Sequence, residues 1–393
     1  MFMKRFFLLL TVMVLCCSCC LADAAETHGF GIINASQVAV RENPKGQKLY
    51  RVKKDQSVWI NDVKMDSQNE AWYQVSTLAD NGRPVTGWMK AEFIDAGDAL
   101  WNDVQKVSIG YSGLIALKND GTALVAPGYN WGETSRYFMD DTGKILTNCR
   151  DVMNARHQAL FYALTNDNTL HPYPNRDSAP ITEKYRVYND REWAGVTEDG
   201  RFGSLAEGFT AEWIWPTEKP AAEQLRKVDK IVFTAYAYML KTEDHQVFCC
   251  SHPLPEQVTI PDFTQLGEVK DLVATDTFPD KADYHDLDNN IVVVTAWTDM
   301  NGAVTVVPAD AAPQADSWTD VVQLCITLDY LLGLKSDGTV VSTGLYGKKA
   351  PDLSGWTDIS YIDSIDGASV GVKTDGNLIF DGSFDYKAYY TIK

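Results

Sequence analysis

Histidine is scarce in this chain, six residues in 393. The motifs that announce hydrolytic or nucleotide chemistry are nearly absent as well: there is no His-Glu-x-x-His and no glycine-rich phosphate loop, and the single Gly-x-Ser-x-Gly match, Gly367-Ala368-Ser369-Val370-Gly371, runs into a hairpin-type Asp-Gly motif and not into the helix that a nucleophile elbow requires. Basic residues are in deficit, 35 Lys and Arg against 53 Asp and Glu, which leaves a net charge of −18. A surface that acidic repels phosphate backbones and anionic headgroups, which argues against a nucleic-acid partner. Beyond the first two dozen residues no apolar run approaches the roughly 20 residues that a transmembrane helix needs. Cysteine is thin once Cys16, Cys17, Cys19 and Cys20 are set aside. The remaining Cys149, Cys249, Cys250 and Cys325 are spaced too widely for a zinc site and read as buried free thiols or one incidental disulfide. The run Cys249-Cys250-Ser251-His252 brings thiols near an imidazole, as a nucleophilic cysteine requires, but reads first as the end of a strand.

Apolar and aromatic residues are plentiful: 45% of the chain is hydrophobic and 11% aromatic, with 11 Trp and 18 Tyr. That composition supplies packed cores and excludes global disorder. Residues 1–24 have the form of a secretory leader. Lys4 and Arg5 precede an apolar run from Phe6 to Leu15, and Ala22-Asp23-Ala24 offers small residues for cleavage. The expectation is an exported protein, extracellular or held at the cell surface, with lipid attachment at Cys17 or Cys19 as the competing form.

Residues 30–96 carry short alternating apolar stretches broken by turn residues, which predicts a small all-β module. Val38-Ala39-Val40-Arg41-Glu42-Asn43-Pro44, Val58-Trp59-Ile60, Ala71-Trp72-Tyr73-Gln74-Val75 and Thr86-Gly87-Trp88-Met89 follow one another as in the bacterial Src-homology-3-like domain, which the module resembles. The resemblance implies recognition of a cell-wall peptide or of another protein. Tyr50, Trp59, Trp72, Tyr73 and Trp88 are the candidate ligand-gripping residues, since flat rings with polar tips suit short peptides and sugars. For Trp72 and Trp88 the competing reading is that they fill the module's own core.

From residue 100 to 393 one motif recurs seven times. Ala116-Leu117-Lys118-Asn119-Asp120-Gly121-Thr122 matches the stretches beginning at Gly333 and Gly371 almost residue for residue, and weaker copies begin at Ala163, Gly195, Met239 and Trp297. Asp-Gly between alternating apolar residues predicts a β-hairpin with positive backbone angles at its tip. A second motif precedes the hairpins: Trp101-Asn102-Asp103-Val104, Trp318-Thr319-Asp320-Val321, Trp356-Thr357-Asp358-Ile359 and the decayed Cys149-Arg150-Asp151-Val152. Its Trp is expected between neighbouring units, with its Asp capping a turn. Turns near positions 120, 167, 199, 244, 301, 337 and 375 leave room for about four short strands each, which predicts a seven-bladed β-propeller. The final strand is expected over Phe384 to Ile392, pairing near Leu100. The paired motifs resemble the repeats of the regulator of chromosome condensation family. That resemblance implies the scaffold and not the family's nuclear roles, because this chain is acidic and reads as exported.

The fold expectation is therefore all-β, a small Src-homology-3-like barrel followed by a seven-bladed propeller. Trp213 and Trp215, in an aromatic insertion with Phe209, Pro216 and Pro220, are candidate ligand contacts on the propeller. Asp280, Asp283, Asp286 and Asp288 crowd an acidic stretch that reads as a solvated loop, with calcium as the weaker alternative because a central Gly and a terminal Glu are absent. No cofactor is expected. The functional expectation is a non-catalytic binding protein that meets cell-wall peptide or glycan through the barrel and an extracellular protein or glycan through the propeller loops. The alternatives are a wall-targeted hydrolase, with Asp283, His285 and Asp286 as its best-placed set, or a secreted protein inhibitor.

Overall fold

The computed structural model describes residues 29–54, 56–78, 84–96, 101–110, 113–127, 136–137, 145–154, 161–173, 184–189, 194–204, 215, 219–234, 236–251, 267–277 and 291–382. The leader over 1–24, Trp213, the acidic stretch holding Asp280, Asp283, Asp286 and Asp288, and the terminal strand over 384–392 lie outside these residues. The chain divides into two compact units between Leu100 and Trp101. No helix among the described residues is long and apolar enough to cross a membrane.

The first unit is one antiparallel sheet of seven strands: β1 (Gly29–Ile33), β2 (Val38–Arg41), β3 (Lys48–Val52), β4 (Ser57–Met65), β5 (Ala71–Leu78), β6 (Pro84–Lys90) and β7 (Ile94–Ala96). They lie in the order β3-β2-β6-β5-β4-β1-β7. Val52 from one edge strand and Ile94 from the other share a single core with Ile33, Val40, Val58, Ile60, Val75 and Met89, so the sheet curls around its apolar face. Among the described residues its two edges do not pair with each other.

Among the described residues the second unit is a ring of seven small sheets, one of four strands and six of three. The first strands of the sheets, Val104–Gly110, Cys149–Asn154, Tyr185–Asn189, Val228–Phe233, Asp271–Thr277, Val321–Ile326 and Ile359–Ile365, form the hub. Numbered in this order, they belong to blades one to seven, and the last lies beside the first. The predicted hairpins are all present, with a correction to their geometry. In the first, Lys118 N–H bonds to Thr122 O at 2.9 Å and Gly121 N–H to Lys118 O at 3.0 Å. Only one residue is left-handed, Gly121 at φ 79°. This is a three-residue loop, a type I turn closed by a left-handed residue, and not a two-residue turn with both angles positive. Asp120 contributes its carboxylate, which accepts Thr122 N–H at 2.9 Å. Where glycine is missing, Asn168 and His245 take the same backbone conformation at φ 66° and 63°.

These left-handed residues also join the blades. In six of the seven the carbonyl accepts an N–H at or just before the start of the next blade: Cys149 to Gly121 O at 2.8 Å, Tyr185 to Asn168 O at 2.8 Å, Val269 to His245 O at 2.9 Å, Val321 to Gly302 O at 3.0 Å and Ile359 to Gly338 O at 3.0 Å. The ring closes on the same bond, Val104 N–H to Gly376 O at 3.1 Å. The aspartate of the Trp-x-Asp motif acts through its backbone: Asp103, Asp320 and Asp358 are left-handed at φ 57°, 61° and 59°. Their carbonyls accept Asn119, Ser336 and Thr374 N–H from the hairpin of their own blade. Aspartate and asparagine tolerate that conformation better than other side chains, which explains the motif more directly than a side-chain cap does.

The cores sit between blades. One cluster packs Ile115, Leu117 and Val125 of blade one against Val152 and Phe161 of blade two. Another packs Val294, Ala296 and Val304 of blade five against Trp318, Leu324 and Leu331. Trp318 and Trp356 are buried in such joints as the sequence predicts, each lying over a motif glycine. A Cβ at Gly333 would meet the Trp318 ring at 3.1 Å, and one at Gly371 the Trp356 ring at 2.8 Å. The expected fourth strand is absent from blades five and six. In blade five, residues 308–320 include Pro308 and Pro313 and form a 3-10 turn at Ala315–Ser317. Proline cannot donate to a ladder, and the turn carries Ala311, Ala312 and Ala315 into the core instead.

Candidate binding surfaces and the central channel

The aromatic residues of the first unit divide by face. Residues directly opposite in an antiparallel pair share a face, and Tyr73 lies opposite Met89, whose side chain is wholly buried in the core. Tyr73 and Tyr50 are half-buried against that core, and burial raises the Tyr73 phenol pKa. Trp72 and Trp88 lie on the other face, 5% and 3% exposed. Neither joins the core cluster, and neither offers an open ring. Lys64 covers Trp88 with its ammonium 4.6 Å from the ring centre, and Trp72 donates its indole N–H to Asp66 at 3.1 Å. Trp59 lies on β4, with its side chain outside what is described. Trp215 is half-buried, edge-on to Phe202 at 6.3 Å, against the cluster that joins blades three and four.

Asp66 organises the cover over Trp72. Its carboxylate accepts Lys45 Nζ at 2.8 Å, the backbone N–H groups of Gln68 and Glu70 at 2.8 and 3.0 Å, and the Trp72 indole. The Lys45 hydrogen bond leads these in holding the carboxyl well below the ordinary aspartate value of 3.8. A carboxylate depressed by folding stabilises the native state fully above its unfolded value and loses that contribution as pH falls below 3.8. Acid titration of the first unit's fold, followed by tryptophan fluorescence, is therefore expected to show a loss of stability below about pH 4 that Asp66→Asn removes. A parent-like acid response in that variant would show that the carboxylate is not the responsible group.

In the propeller the hub strands carry a repeated device. Six of the seven shift register after their first residue, which bulges Gln105, Arg150, Arg186, Asp229, Val322 and Ser360. Several bulged side chains reach the hairpin: Gln105 donates to Lys118 O at 2.9 Å and Ser360 to Val372 O at 3.1 Å, while Lys241 donates to Asp229 at 2.7 Å. The residues after the bulge are Lys106, Asp151, Val187, Lys230, Gln323 and Tyr361, and several of their polar groups bridge blades. Lys106 pairs with Asp151 and sits 5.8 Å over the Tyr361 ring. Gln323 grips both backbone groups of Ile362, donating to its O at 2.8 Å and accepting its N–H at 3.0 Å. Blade five has no bulge, and Asp271 takes the equivalent place. It accepts Lys230 Nζ at 2.6 Å and Leu324 N–H at 2.7 Å. Asp363 accepts Ile109 N–H at 2.8 Å across the seam. Hub strands of neighbouring blades form no ladder with each other, so this belt of side chains ties them together. It borders a cavity of about 180 Å³ lined by Lys230, Phe233, Gln323, Cys325, Tyr361 and Asp363. Burial raises the Tyr361 phenol pKa.

A second cleft, of about 310 Å³, opens where Arg150, Arg186 and Arg226 converge with Glu198, Asp229 and Glu243. Arg150 donates to Asn168 Oδ1 at 2.7 Å, Tyr185 O at 3.0 Å and Arg186 O at 2.6 Å. Arg186 donates to Val228 O at 3.1 Å and pairs with Glu243. Arg150 and Arg186 thus staple three blades. In the sequence Arg150 stands only in a decayed motif copy, although its place two residues after the left-handed Asn148 marks it as the bulge position. Cys149, Cys250 and Cys325 are buried free thiols and Cys249 is partly buried. Burial pushes Cys149 and Cys249 up to about 12, far from a nucleophile's range. Cys249 and Cys250 lie on one strand, Val247–Ser251, while His252 lies outside the described residues. No cluster of metal-ligating side chains occurs among the described residues.

No family model matches the chain. No curated protein matches it either. Among solved structures, it is similar to the CRINKLY WD40 ectodomain of the Arabidopsis thaliana receptor kinase ACR4, with a TM-score of 0.40 and 11% identity over 73% of this chain and 97% of that one. It is also similar to PorZ, a surface component of the type-IX secretion system of Porphyromonas gingivalis, with a TM-score of 0.24 and 9% identity over 87% of this chain and 57% of that one.

Proposed function

We propose that the chain is an exported, non-catalytic binding protein whose first unit recognises cell-wall peptide or glycan and whose propeller loops take a protein or glycan partner. The reading of the first unit rests on its sequence resemblance and on Tyr50 and Tyr73. The reading of the propeller rests on the hub. The side chains of Lys106, Asp151, Lys230, Asp271, Gln323 and Asp363 there engage other blades or one another, so they serve the scaffold. Connections between blades differ in length and composition and are the parts left to vary with a partner. The test is cosedimentation of the full chain with purified peptidoglycan, with chitin and cellulose as controls, while the supernatant is assayed for released fragments. Selective sedimentation without release is the expected result. Failure to sediment removes the wall ligand, and release of fragments removes the non-catalytic role.

A further inference from the structure

Of the two edge strands of the first unit, β3 is basic within an acidic chain. β3 (Lys48–Val52) pairs only with β2 among the described residues, so every second backbone N–H and C=O along it points away from the sheet. Around it the sequence places Arg41, Lys45, Lys48, Arg51, Lys53 and Lys54 against Glu42 and Asp55. Lys45 is committed to Asp66 and Glu70, and Arg41 donates to Gly46 O. Lys48, Arg51 and Lys54 are exposed, and none of them has a carboxylate partner among the described residues. Beside them Leu49 is 50% exposed, one of three large apolar side chains so placed among the described residues. Its inner side rests over Gly87, where a Cβ would meet it at 3.2 Å. Proteins normally guard such an edge with charge, and a guard of one sign repels cations while inviting an anionic strand.

We infer that β3 is a docking edge for an acidic, extended segment of a partner protein, which adds as an eighth strand. The incoming backbone pairs with the open side of β3, an apolar side chain covers Leu49, and carboxylates on that face meet Lys48, Arg51 and Lys54. A polyphosphate chain has the charge but no backbone to pair and nothing to cover Leu49. The inference concerns a protein segment, so the wall-ligand reading can fail without touching it.

The test uses the full chain and a fluorescent heptapeptide, Glu-Thr-Val-Thr-Glu-Thr-Glu, whose valine and glutamates share one face of a strand, read by anisotropy. Binding is expected to weaken as salt rises. The same peptide with every second amide N-methylated should lose binding, since it keeps the charge but cannot form a ladder. Lys48→Glu with Arg51→Glu, both exposed changes, should weaken the acidic peptide by about tenfold or more and create binding of a lysine-valine counterpart. That gain shows the variant is folded. Retained affinity for the N-methylated peptide, equal binding of a single-stranded oligonucleotide of matching charge, or no binding of the acidic peptide at low salt would each overturn the proposal.

Discussion

Gly376→Ala is expected to destabilise the propeller by about 3 kcal/mol, against about 1 kcal/mol for Gly347→Ala. Both glycines are left-handed, at φ 80° and 72°, so alanine strains the backbone alike at each. They differ in what the added methyl meets. At Gly347 nothing lies within 4 Å, whereas at Gly376 the Cβ would fall 2.7 Å from Asp103 Cα and 2.8 Å from Asp103 N. Those atoms are backbone and have no rotamer to escape into. To make room, blade one must move off blade seven and stretch the bond from Val104 N–H to Gly376 O. Denaturant titration of the two variants beside the parent separates strain from crowding. Equal losses would show that the seam yields freely and that the joint is not tightly packed.

Asp271→Ala is expected to cost about 2–4 kcal/mol, the other large effect. One carboxylate serves three blades here: it takes the Lys230 ammonium from blade four, sits on blade five, and accepts Leu324 N–H from blade six. Alanine leaves that buried N–H without an acceptor and the ammonium without a counter-charge. The Lys230 side chain is 33% exposed and recovers some hydration, which holds the cost below that of a fully enclosed pair. Asp271→Asn keeps an oxygen for Leu324 and should lose roughly half as much. If asparagine is as damaging as alanine, the charge matters and the N–H does not; if both are silent, the belt does not hold the hub.

Much of this architecture was legible in the sequence because its determinants are local. The seven hairpins follow from a glycine, asparagine or histidine after an Asp or Asn, and Gly121, Asn168 and His245 all adopt the conformation this demands. The tryptophans Trp318 and Trp356 lie between blades because a motif glycine opposite each leaves space for the indole. The motif aspartate serves its turn through a left-handed backbone and, at Asp103, also through its carboxylate, which accepts Asn119 Nδ2 at 2.7 Å; both demands select the same residue types. The missing fourth strand was misjudged because spacing counts residues and ignores whether prolines among them can donate. The belt was invisible for another reason. Its members are Lys, Asp, Gln and Tyr, chemically unlike one another, and what they share is a place near the start of a hub strand, set in most blades by the bulge. In the first unit, sequence marked Trp72 and Trp88 as aromatic but said nothing of the charged cover from Lys64 and Asp66 that encloses them.

The joint between a hairpin carbonyl and the next blade's leading amide also sets an order in time. During synthesis, the amides of Cys149, Tyr185, Val269, Val321 and Ile359 each emerge to find an acceptor already made one repeat earlier, so growth by addition needs only short loop closures. Val104 alone must wait for a partner that is made last. The polypeptide therefore passes through an open crescent with one exposed face at each end, and joining those ends is the step with the largest entropic barrier. Chaperone dependence and aggregation should concentrate in that interval.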